Sequence, residues 1–93
     1  MRKVIAVDVD GTLLRYGKPN KKIIDYIKKQ HSEGYTMLLW SARGKDHAEK
    51  AAVKCGIDKL FQVIISKPSF IIDDKGWSWI KYTRRIKNFK VTL

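Results

Sequence analysis

A single cysteine, Cys55, stands in a chain of 93 residues, which excludes an internal disulfide and fits a reducing compartment. With no second cysteine at metal-ligand spacing, it reads as a small apolar residue on a helix. Prolines number only two, so Pro19 and Pro68 stand out as boundaries between elements. No apolar run approaches the length of a membrane-spanning helix. The run after Arg2 and Lys3 is broken by Asp8 and Asp10, so no signal peptide is read and the cytoplasm is the expected location. Internal repeats and low-complexity tracts are missing, which argues against disorder. The length suits one domain over residues 1–93, with no room for a second.

Acidic residues are also scarce: 9 Asp and Glu face 20 Lys and Arg, a net charge of +11. The excess is uneven, since residues 75–93 hold six basic side chains and no acidic one. Such a field favours polyanions or concentrates phosphorylated substrates near a site. For any single lysine, a solvated surface position is the simpler reading.

What is present is a regular alternation of strand and helix signals. The run Val4, Ile5, Ala6, Val7 is β-branched and too short for a helix, which predicts a buried strand. Residues 13–18 form a short connection, and Asn20 is the expected N-cap of a helix over 21–33, with Ile23, Ile24 and Ile27 on one face. Gly34 ends it. A second buried strand follows at 35–40 and a second helix at 46–55, stopped by Gly56. Strands are expected at 61–65 and 70–72, a helix at 77–86 and an edge strand at 89–93. The alternation predicts an α/β, Rossmann-like, three-layer α/β/α sandwich with a mostly parallel sheet of about five strands.

Polar residues fall where these strands end. Asp8 and Asp10 flank Val9 and precede Gly11, at the strand end where open α/β sheets place their sites. A lone pair of this kind also caps turns. The continuation DVDGTLL, residues 8–14, resembles the first motif of the haloacid dehalogenase superfamily. Ser41 and Arg43 after the second strand, Lys67 after the third and Asp73 with Asp74 after the fourth extend the resemblance over residues 4–74. Gaps between these motifs are too short for the inserted cap domain many members carry, which implies a capless, open site.

The resemblance implies roles. Asp8 would attack phosphorus to give an aspartyl-phosphate, and Asp10 would act as general acid and then base. Lys67 would steady the charge, Ser41 would donate to the phosphate, and Thr12 would assist. Arg43 lies outside the superfamily's core set; it could clamp a phosphate or pair with an acid. Carboxylates from Asp8, Asp73 and Asp74 gathered at one point would repel unless a cation joined them, so Mg²⁺ is the expected cofactor, with Asp8, Asp73 and the backbone carbonyl of Asp10 as sufficient ligands and Asp74 binding directly or through water.

The function expected is therefore Mg²⁺-dependent phosphomonoester hydrolysis, the phosphorylated substrate being a nucleotide or the end of a nucleic acid. The alternative is a binding module of the same fold whose basic C-terminal segment grips nucleic acid or a protein partner. Trp40, Trp77, Trp79 and Tyr82 are open between stacking on bases and core packing. His31 and His47 have no motif context and are expected at the surface. Whether subunits associate is open.

Overall fold

The computed structural model describes residues 3–80. Branched apolar residues open it as β1 (Val4–Asp8), carried one residue beyond the expected strand so that Asp8 is its last member. The connection after it is not featureless. β2 (Leu14–Arg15) and β3 (Lys18–Pro19) pair as an antiparallel ribbon, with Leu14 opposite Pro19 and Arg15 opposite Lys18. Its two-residue tip, Tyr16 at φ +50° and Gly17 at φ +74°, has the doubly positive φ of a turn whose twist matches the flanking strands.

α1 (Lys21–Ser32) starts where Asn20 predicts and buries Ile23, Ile24 and Ile27. Glu33 caps its C-terminus, and Gly34 follows in the left-handed region at φ +94°, which only glycine enters without strain. β4 (Thr36–Ser41) comes next, then α2 (Lys45–Lys54), a 3-10 turn (Asp58–Leu60) and β5 (Phe61–Ser66). Cys55 caps α2 rather than lying within it, and is half-buried. Burial pushes its thiol pKa up, partly offset by the Lys54 charge beside it.

β1, β4 and β5 form a parallel sheet with β4 in the centre. Val7 lies opposite Leu39, and Leu39 opposite Ile64. Side chains alternate across the pleat, so Val7, Met37, Leu39 and Phe61 share one core with Ile23, Ile24 and Ile27 of α1 and Ala48, Ala51 and Ala52 of α2. Both helices therefore cover the same face. The alanines on α2 let its backbone approach the sheet closely, and Ala48 and Ala52 are fully enclosed. On the opposite face, among the described residues, Val4, Val63 and Ile65 are exposed and Trp40 is half-buried.

The α/β, Rossmann-like architecture with a mostly parallel sheet is as expected, with the sheet and one helical layer inside the described residues. No domain-sized cap interrupts them: residues 9–20 hold the ribbon, and residues 42–60 hold α2 and the 3-10 turn.

The strand expected at 70–72 does not form. Phe70 and Ile72 are exposed, and the backbone turns at once, the Asp73 carboxylate accepting the Lys75 N–H at 2.8 Å. Three residues offer few ladder hydrogen bonds against the entropy of ordering them, and an aspartate next in line supplies a competing local bond. Where a helix was expected from Trp77, residues 77–79 continue a series of turns, with Ser78 N–H on Lys75 O and Ile80 N–H on Trp77 O. Residues 81–86 of that helix, with Tyr82, and the edge strand at 89–93 lie outside the described residues. Trp77 and Trp79 are exposed, their rings 6.1 Å apart and inclined at 31°.

Candidate active site

Three parallel strands end on one edge of the sheet. Asp8 of β1 stands level with Trp40 of β4, and Ser41 with Ser66 of β5, so residues 8–14, 41–47 and 66–67 meet there. The first of these loops is tied down from within. Leu13 N–H donates to Asp8 O at 3.2 Å, and Thr12 and Leu14 N–H both donate to Val9 O. Val9 and Leu13 are fully buried beneath it. Gly11, at φ +83°, makes the reversal that lets the chain close on itself. Asn20 adds an outer tie. Its backbone N–H donates to Leu13 O and its side-chain Nδ2 donates to Thr12 O at 3.0 Å. As the N-cap of α1 it makes no side-chain cap bond, so its amide serves the site loop instead of the helix.

Charges of both signs then gather. Lys67 Nζ lies 3.9 Å from Asp8 Oδ1. Asp10 has two cationic or hydrogen-bonding neighbours: Arg43 Nη1 at 3.7 Å, and His47 Nε2 at 3.0 and 3.2 Å from its two oxygens. Ser41 is buried, its Oγ accepting the Arg43 N–H at 3.0 Å. Its carbonyl accepts from both Gly44 and Lys67 N–H, which brings the loop after β5 against the loop after β4. Ser66 Oγ accepts the Lys45 N–H at 3.2 Å and fixes the start of α2.

The sheet edge thus assembles Asp8, Asp10, Ser41, Arg43 and Lys67, with Thr12 in the adjoining loop. It does not add Asp73 and Asp74: among the described residues no three of His, Cys, Asp or Glu form a group able to hold a metal ion. The acids expected to complete that group depend on a strand at 70–72, and that segment does not join the sheet. Asp73 is occupied in its own turn.

His47, expected at the surface, is the residue the sequence reading missed. It is partly buried in the first turn of α2, and no motif or spacing in the sequence sets it apart from an exposed helical histidine. Chemically, the edge offers one partly exposed carboxylate beside an ammonium, and a second held by an imidazole and a guanidinium.

No helix among the described residues is long and apolar enough to cross a membrane. Comparison with curated proteins finds no match, nor does comparison with solved structures. A family model described as haloacid dehalogenase-like hydrolase matches residues 5–92, almost the whole chain, and includes every loop of this edge. The chain belongs to the haloacid dehalogenase-like hydrolases.

Proposed function

We propose that this hydrolase is a phosphomonoester phosphatase, built as one domain over residues 1–93, with Asp8 as nucleophile and Asp10 as general acid and base. The observation that carries the reading is the pairing at the sheet edge: two carboxylates two residues apart, the first 3.9 Å from Lys67 and the second held by other partners. Different surroundings suit the two to different tasks. An Asp8 oxygen forms a bond to phosphorus as the ester P–O bond breaks, and the departing oxygen takes a proton from Asp10. Water then attacks the aspartyl-phosphate, returning a proton to Asp10 as phosphate leaves Asp8. Lys67 offsets the negative charge gathered on Asp8 and the phosphoryl oxygens. Arg43 and the Ser41 hydroxyl are the phosphate contacts of this reading, with Thr12 in support.

The oxygen donors here fit a hard divalent cation such as Mg²⁺, which takes one or two carboxylates and completes its shell with water and substrate phosphate. Asp8 and the backbone carbonyl of Asp10 would hold it. When bound, the cation would neutralise phosphoryl charge. The net charge of +11 and a site without a cap favour a phosphorylated polyanion, such as the end of a nucleic acid, as substrate.

The test is phosphate release from phenyl phosphate and from 3′- and 5′-phosphorylated oligonucleotides, with and without Mg²⁺, beside Asp8→Asn. Turnover by the parent should depend on Mg²⁺, and Asp8→Asn should lower it by about a thousandfold or more. A parent as inert as the variant on every substrate overturns the proposal. Oligonucleotide binding without hydrolysis, weakened by Arg84→Glu with Arg85→Glu, would instead mark the chain as a binding module.

A further inference from the structure

We infer that His47 is a positioning residue that fixes the Asp10 carboxylate in the direction of the departing oxygen, an inference that rests on the phosphatase reading. Nε2 of His47 lies across both oxygens of Asp10, at 3.0 and 3.2 Å, so the ring constrains rotation of the carboxylate as well as its place. The two partners differ in how firmly they are mounted. His47 is the third residue of α2, whose start is fixed by the Lys45 N–H on Ser66 Oγ and whose Ala48, Ala51 and Ala52 are buried on the sheet. Its side chain is 23% exposed. Arg43, the other neighbour, lies before the helix, is 68% exposed and stands at 3.7 Å. Asp10 itself is 46% exposed, so without a firm partner its carboxylate would sample several rotamers in water.

Proton delivery requires the acid to be aimed at the bond that breaks, and a misplacement of about 1 Å at such a group costs on the order of a hundredfold. Asp10 carries the proton and His47 sets where it is offered. The imidazole touches neither substrate nor phosphorus in this role.

Leaving-group dependence separates this role from a merely structural one. The value of kcat/KM ends with the first irreversible step, loss of the leaving group, and 2,4-dinitrophenolate departs without protonation whereas phenolate needs it. His47→Ala should lower kcat/KM for phenyl phosphate by about ten- to a hundredfold and leave 2,4-dinitrophenyl phosphate within about threefold of the parent. His47→Gln, which keeps an N–H donor near the same place, should restore most of the loss. A second readout needs no turnover: Asp10→Asn should shift the His47 Nε2 resonance in the imidazole ¹⁵N spectrum.

Equal losses on both esters, no loss on either, or an unmoved resonance overturns the positioning role while leaving the phosphatase reading intact. A parent inert towards both esters and the phosphorylated oligonucleotides alike, or an Asp8→Asn variant as active as the parent, overturns the reading and this inference together.

Discussion

At the scale of single residues, the site loop depends on small polar ties that no motif marks. Asn20 was expected to cap α1 and occupies the cap position, yet its side chain bonds to Thr12 O. Asn20→Ala removes that bond from a buried setting and leaves a carbonyl short of its donor, which should cost about 1 kcal/mol. Urea unfolding would read the loss as a lower midpoint at unchanged slope; an unaltered midpoint would show that water replaces the amide without penalty. Asp8, Asp10 and Lys67 were legible through their order, each beside an apolar strand, which matches the motifs of a known superfamily; singly, such residues also cap turns or lie solvated. His47 was not, because a histidine in a helix carries no periodic signal that separates an exposed position from one turned towards a carboxylate.

At the scale of elements, apolar periodicity decided most of the outcome. The two helices and three sheet strands fall within a residue or so of their expected bounds, since Ile23, Ile24 and Ile27 repeat at helical spacing and residues 36–40 cannot be buried as a short helix. The ribbon escaped because its tip places Tyr16 at positive φ without the Asn-Gly or Asp-Gly pair that announces such turns. The segment at 70–72 was read as a strand on apolar content alone, and a strand also needs a partner and enough length. The close seat of α2 rests on its alanines. Ala52→Leu adds three carbons where none fits and should destabilise by about 1–3 kcal/mol. Thermal unfolding would register a clear fall, and an unchanged midpoint would mean that the helix can lift without cost.

At the scale of the whole molecule, charge and topology act together. With +11 distributed over 93 residues, oligonucleotide affinity should fall steeply with salt: about three phosphate contacts on a single strand cost roughly twentyfold between about 50 and 200 mM. Fluorescence anisotropy with a labelled oligonucleotide measures this, and a flat salt response would remove the polyanion from consideration as substrate. The amino-acid sequence by itself determined the alternating elements, the excess of positive charge and the identity of the strand-end acids, because side-chain pattern and composition are local properties. Only the tertiary structure decided which of those acids meet. A sheet edge collects the residues of strands that pair, so Asp8, Asp10 and Lys67 converge, Asp10 gains His47 from the first turn of α2, and Asp73 stays in its own turn because residues 70–72 join no ladder.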